Sequence, residues 1–414
     1  MSNDLRPICR AVLLIGTLDT KGTEVACVRD RLIAAGVNVC VLDASVLALP
    51  MFVPDILREA VFAAAGVKHA QVKATADRSQ AIALAAIGAA KLAAELYRNG
   101  EIIGILGLGG SAGTTIATAA MRALPVGVPK LMVSTLASGD VRPYVGTRDV
   151  TMMHSVVDIA GLNRISRRVL ANAADAMAGM VRGIVERPIT DEDKPVIAAT
   201  MFGVTTPCVE VARGILEAAG YEVLVFHATG TGGRTMESLI RDGLICGVLD
   251  ITTTELADQL VGGVMAAGTD RLTAAGLRKV PQVISVGALD MVNFGPPETI
   301  PERYRTRKFH AHNPTVTLMR TTPEELDAIG KEIAEKACAA GGPTRVLLPL
   351  RGLSALDAEG QPFHDPAANA ALFQSLRNWI YPTELLVEHD LHINDIAFAA
   401  AAAKTLLSLM RVPN

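Results

Sequence analysis

The chain has 414 residues, half of them hydrophobic but only 4% aromatic, with 36 glycines and 21 prolines. That length exceeds what one hydrophobic core normally covers, so two domains are expected, and the composition excludes a disordered or collagen-like chain. Lys and Arg number 39 against 42 Asp and Glu, a formal charge of -3 that leaves no basic excess for nucleic acid as a partner.

From the N-terminus, Met1–Pro7 has no signal-peptide plan, because Asp4 and Pro7 precede the first apolar segment. No apolar run approaches the ~20 residues of a spanning helix, so no membrane contact is expected. Val12–Ile15 is the first predicted strand, followed by the loop Gly16–Gly22 and an amphipathic helix ending Ala34-Ala35-Gly36. Val39–Leu42 is the second strand. A helix over Ser79–Arg98 and a strand over Ile102–Leu106 follow, then a Gly-rich turn and a helix over Ile116–Leu124. The pattern then recurs: Val12–Ala44 and Val196–Ala228 align without a gap, each running strand, turn, helix closed by Ala-Ala-Gly, strand. The later copy continues into a helix at Met236–Arg241 and a strand at Val248–Ile251.

These strands are continuously apolar, as parallel strands buried on both faces are, and the crossovers contain helices. The fold class expected is α/β: two Rossmann-like, doubly wound parallel-sheet domains related by internal duplication. Residues 1–187 would form an N-terminal nucleotide-binding domain and 188–414 a C-terminal domain completing an inter-domain cleft. Pro188–Pro195, acidic and bracketed by prolines, would be the hinge. Cys9, Cys27, Cys40, Cys208, Cys246 and Cys338 lack C-x-x-C spacing, which suits reduced thiols in a cytoplasmic protein.

In open α/β sheets ligands bind beyond the carboxyl ends of the strands, so the turns there carry the candidate chemistry. Gly107-Leu108-Gly109-Gly110-Ser111-Ala112-Gly113-Thr114-Thr115 joins a strand to a helix. Glycines at 109, 110 and 113 allow close backbone approach, the first helical amides point at an anion, and Ser111, Thr114 and Thr115 add hydroxyls. A phosphate cradle is the leading reading, with a tight packing turn as the bland one. The same residues fit the G-x-S-x-G elbow, in which Ser111 would be the nucleophile of an acyl hydrolase with Asp140, Asp149 or His154 as partners.

In the first loop, Asp19 is a candidate ligand for magnesium or a ribose hydroxyl, Thr20 a helix cap, and Lys21 a phosphate-neutralising cation. In the second half, Thr229, Gly230, Thr231, Gly232, Gly233 and Arg234 offer a second anion nest. His227, at a strand end, and Glu255, after Asp250, are candidate catalytic groups there. Weaker patches are the polar loop Asp140–Asp149, the pair His310 and His312, the cluster His389-Asp390-Leu391-His392 and Arg351.

Three loops together, Gly16–Gly22, Gly107–Thr114 and Phe226–Gly233, resemble one family. It comprises bacterial proteins of unassigned role and the N-terminal ATP-binding domain of a plant protein that inhibits tomato mosaic virus RNA replication. The resemblance implies a two-subdomain α/β protein that binds ATP with magnesium (Mg2+) and forms homodimers; the antiviral role belongs to one plant branch. The expectation is an ATP-binding metabolic enzyme with a small polar, carboxylate or phosphate-bearing ligand in the inter-domain cleft. Two rivals are the Ser111-dependent acyl hydrolase and a non-catalytic ligand-sensing or scaffold module.

Overall fold

The first predicted strand is β1, Ala11–Gly16, whose six residues are all buried. In this computed structural model residues 10–75, 77–186 and 194–411 are described. The chain divides into two compact units, one up to Ile189 and one from Thr190. Residues 188–193 of the expected hinge, and Cys9, lie outside the described residues.

In the first unit β1 leads into α1 (Leu18–Ala34), β2 (Asn38–Asp43), α2 (Arg58–Ala64), α3 (His69–Thr75) and α4 (Arg78–Arg98). β3 (Ile102–Gly109), α5 (Ser111–Arg122), β4 (Lys130–Ser134), α6 (Arg142–Val145), β5 (Thr151–His154) and α7 (Arg164–Glu186) complete it. The strands form one parallel sheet in the order β2-β1-β3-β4-β5. Alternate residues of β1 serve opposite faces: Leu13 and Ile15 join the cluster that contains α4 and α5, and Val12 and Leu14 join that of α1 and α7. Each fully buried Leu or Ile contributes about 1.5–3 kcal/mol relative to exposure, which is why an uninterrupted apolar run settles between two helical layers.

α4 is long and apolar enough to cross a membrane by length and composition, contrary to the expectation that no such segment exists. In this fold its small-residue face, including Ala85, Gly88 and Ala89, is buried. A side chain on Gly88 would collide with the Val61 carbonyl of α2. Such close contact between helices explains why this segment is rich in alanine.

The second unit contains β6 (Val196–Met201), α8 (Thr206–Ala218), β7 (Glu222–His227), α9 (Thr231–Arg241), β8 (Gly247–Thr252), α10 (Thr254–Val261) and α11 (Ala274–Arg278). Then come β9 (Gln282–Gly287), β10 (Met291–Phe294), β11 (Phe309–Asn313), β12 (Val316–Arg320), α12 (Pro323–Cys338), β13 (Thr344–Pro349), α13 (Pro366–Trp379), β14 (Leu386–His389) and α14 (Ile396–Met410). Its parallel sheet has the order β14-β13-β9-β8-β6-β7. Counted from β6, that is the strand order of the first unit with one strand added, so the duplication extends from the sequence into the topology. α8 and α14 cover one face and α9 and α11 the other. An antiparallel sheet, β10-β12-β11, is inserted after β9 and was not anticipated from the sequence.

Candidate functional site

A sheet ordered 2-1-3-4-5 sends its connections in opposite directions from its first and third strands, and the crevice between them is the usual ligand position. In the first unit those strands are β1 and β3, paired in parallel with Ile15 beside Gly107. The two loops singled out in the sequence, Gly16–Gly22 and Gly107–Thr115, therefore flank one switch point.

The β3–α5 turn is open. Gly110 caps α5 in an extended conformation (φ -80°, ψ -154°) and supplies no side chain. The Thr114 amide donates to the Gly110 carbonyl at 2.8 Å, while the amides of Ser111, Ala112 and Gly113 have no partner among the described residues. A Cβ on Gly109 would lie 2.9 Å from Gly113 Cα, and one on Gly113 would lie 3.1 Å from the Leu108 carbonyl oxygen. Those two glycines are required by close backbone approach. On Gly110 a Cβ would meet only Thr135 Oγ1 at 3.7 Å.

Two of the three expected hydroxyls are engaged elsewhere. Buried Thr114 bonds Ser134 Oγ at 2.7 Å, linking α5 to the end of β4, and Thr115 Oγ1 donates to the Ser111 carbonyl at 2.9 Å. Ser111 remains exposed. No hydrogen bond among the described residues joins it to a histidine or carboxylate. Asp140 is paired with Arg142, Asp149 with Lys130, and His154 ends β5, two strands from β3. Among the described residues no triad is assembled around Ser111.

The β1–α1 turn is closed from within. Asp43, buried at the end of β2, accepts the Leu18 amide through Oδ1 at 3.1 Å, and Ser45 Oγ accepts the Asp19 amide at 2.9 Å. Ser45 also donates to Asp43 through both its amide and its hydroxyl. Asp43 Oδ2 is buried without a hydrogen-bond partner. The first two free amides of α1 are thus consumed. Asp19 Oδ2 accepts the Ala48 amide at 3.3 Å, and Thr20 pairs with the Thr17 hydroxyl at 2.9 Å.

α1 is kinked at Lys21 (φ -125°). The Lys21 ammonium donates to the Ile159 carbonyl, and buried Glu24 accepts the Gly161 amide at 2.5 Å. Both side chains hold the segment between β5 and α7 against α1. Lys21, expected to meet phosphate, is a loop anchor here.

In the second unit the expected nest exists and is filled by the chain itself. Glu255 Oε1 accepts the Gly230 amide at 2.7 Å and the Gly233 amide at 3.0 Å, and Oε2 accepts Arg271 Nε at 2.7 Å. Glu255 and the Arg271 side chain are wholly buried. Arg271 also grips Asp250 through two nitrogens at 2.5 and 2.7 Å and approaches Glu237 at 3.5 Å. The carboxylates read in the sequence as metal or acid-base candidates surround an internal guanidinium instead. Burial, outweighing the attraction of Arg271, pushes the Glu237 carboxyl up from its ordinary value. His227 is exposed at the end of edge strand β7. Arg234 reaches the Ala266 carbonyl and Thr231 Oγ1, each at 3.4 Å.

Residues 10–186 match the N-terminal domain and residues 194–410 the C-terminal domain of "Uncharacterised protein family (UPF0261)". The chain belongs to the UPF0261 family. A UPF0261 protein of Clostridium tetani is 49% identical over 402 residues, covering 97% of this chain and 99% of that protein. The "ToMV resistance protein Tm-1(GCR237)" of Solanum lycopersicum is 50% identical over 315 residues, 75% of this chain and 42% of the tomato protein. The resemblance stated from the three loops is therefore borne out. Among solved structures, UDP-N-acetylglucosamine 2-epimerase from Rickettsia bellii covers 97% of this chain and is covered to 95%, at 12% identity and a TM-score of 0.24.

The weaker patches of this UPF0261 chain serve its fold. A register shift between Ala311 and Asn313 interrupts β11, and His310 stacks edge-on to Phe363 at 6.2 Å. His389 packs edge-on to Phe398 at 5.6 Å, and burial lowers its pKa. His392 Nε2 contacts the Ser354 carbonyl at 3.0 Å, while Asp390 pairs with Arg351. Among the described residues no group of three or more His, Cys, Asp or Glu side chains is arranged to hold a metal ion.

Asp43, Ser45 and Arg271 were missed in the sequence. Asp43 carried a usable signal: it falls opposite His227 when Val12–Ala44 is laid on Val196–Ala228. Arg271 carried none, since its partners come from three separate segments.

Proposed function

We propose that this protein binds ATP, with its phosphates on the β3–α5 turn of the first unit, as part of a nucleotide-dependent metabolic enzyme. The observation that carries the reading is the set of amides at Ser111, Ala112 and Gly113, unpartnered among the described residues, at the N-terminus of a twelve-residue helix beside the switch point. Three aligned donors and the helix dipole favour an anion with several oxygens. The open face of Gly110 admits it, and Ser111 adds an exposed hydroxyl. Among the described residues no basic side chain is hydrogen-bonded at this turn, and magnesium carried by the nucleotide would supply the neutralising charge.

Mg2+ bound to nucleotide needs only one or two protein carboxylates, because phosphates and water fill the other positions. Asp19 suits that limited role, since one of its oxygens has no partner among the described residues. When bound, the ion would neutralise phosphate charge; the chain's own part is to orient the phosphates through Gly110–Gly113 and to anchor the ion through Asp19.

Equilibrium binding of labelled ATP, with and without magnesium, tests the proposal. Saturable binding that requires magnesium and weakens in Asp19→Ala is expected. Absence of binding at millimolar nucleotide refutes it.

A further inference from the structure

We infer that the amides of Gly230 and Gly233, together with the Arg271 guanidinium, form a carboxylate-binding site in which Glu255 is a tethered ligand, so that removing its side chain opens the site to a free monocarboxylate such as acetate or formate. The site lies in the second unit and is independent of the proposed nucleotide site.

The backbone is shaped to this occupant. Gly230 adopts φ +81°, a left-handed conformation that side-chain-bearing residues rarely take. A Cβ on Gly233 would overlap the Glu255 carboxylate. Each carboxylate oxygen has its own donors: two amides at the start of eleven-residue α9 for Oε1, and a guanidinium nitrogen for Oε2. Arg271, a wholly buried cation also held by Asp250 and Glu237, reaches the same pocket from a distant segment.

The charges around the site define the ligand. Arg271 already faces Asp250 and Glu237, so a monoanion replaces Glu255 without changing the balance, whereas a dianion meets two further carboxylates. Phosphate would also bring two oxygens for which the pocket holds no donors, and leaving these unpaired in a dry site is costly. The volume vacated by the side chain beyond Cβ is that of a small carboxylate.

The test is thermal unfolding of the full chain carrying Glu255→Ala, titrated with sodium acetate or formate against sodium chloride and phosphate at matched ionic strength. For a dissociation constant near 10 mM, about 100 mM acetate should raise the variant's Tm by ~3–6 °C over chloride. Phosphate should act as chloride does. The wild type, its site filled, should show no such difference, and neither should Glu255→Gln, whose side chain still occupies the pocket. The inference is overturned if acetate and formate match chloride on Glu255→Ala, or if they stabilise the wild type equally. Should Glu255→Ala fail to fold in chloride, refolding yield is read instead: several-fold higher in acetate supports the site, and equal yields reject it.

Discussion

Gly110→Val separates a ligand site from a packing turn. The position is extended at φ -80°, and an added Cβ has one neighbour, Thr135 Oγ1, at ordinary van der Waals distance. The unliganded protein should therefore stay folded, losing only about 1 kcal/mol for a valine in place of the glycine cap. The isopropyl group should, however, obstruct a ligand approaching the Ser111–Gly113 amides. Losing two charge-assisted hydrogen bonds costs about 3–6 kcal/mol, a hundred-fold or more in affinity.

In a thermal melt, ATP with magnesium at about 100 times the wild-type dissociation constant stabilises by ~2.7 kcal/mol, or about 5–10 °C for a unit of this size. At the same concentration a variant weakened a hundred-fold gains ~0.4 kcal/mol, about 1 °C. Gly109→Ala is the contrast: its Cβ presses on Gly113 Cα at 2.9 Å, so it should lose ~1–3 kcal/mol without any ligand. A Gly110→Val protein that retains the full nucleotide shift would refute the site, as would one that has lost its fold.

Three further outcomes follow from the same structure. Burial pushes the Asp258 carboxyl up to about 7 despite hydrogen bonds from Asn293 and Met265. The folded chain then keeps a proton that the unfolded chain has released, so stability falls as pH rises from about 4 to 7 and levels off above, by up to ~4 kcal/mol. Urea midpoints at pH 5 and 8 should differ less in Asp258→Asn than in wild type; an equal difference rejects this. Arg271→Met leaves Asp250 and Glu255 without their cation and should cost about 3–5 kcal/mol in denaturant unfolding of the second unit. A loss under ~1 kcal/mol would show that the guanidinium matters little. Finally, a fluorophosphonate should not label Ser111, because no histidine or carboxylate among the described residues is bonded to it; labelling abolished by Ser111→Ala would restore the hydrolase reading.

Much of the fold was legible because its cause is local. Val12–Ile15 and Val196–Ala199 are uninterrupted apolar runs that only burial on both faces explains, and Gly36 and Gly220 close their helices at positive φ. The β10-β12-β11 sheet was not legible, since Met291–Phe294 is too short to be told from any other apolar segment. Nor was the spanning-length character of α4, because Lys91 and its small residues hide it from a search for unbroken apolar runs.

By itself the sequence determined where the strand-end turns fall and that each begins a helix with donors to offer, for those properties belong to adjacent residues. Whether the donors stay free was decided by side chains that strand register and chain crossovers bring from elsewhere. Asp43 and Ser45 cap α1 from the end of the neighbouring strand, and Glu255 enters the α9 nest from the first turn of α10. The α5 turn faces no such carboxylate among the described residues. Three similar loops thus become one turn with free amides among the described residues and two with occupied ones, because an amide's hydrogen-bonding capacity is local but its partner is set by tertiary structure.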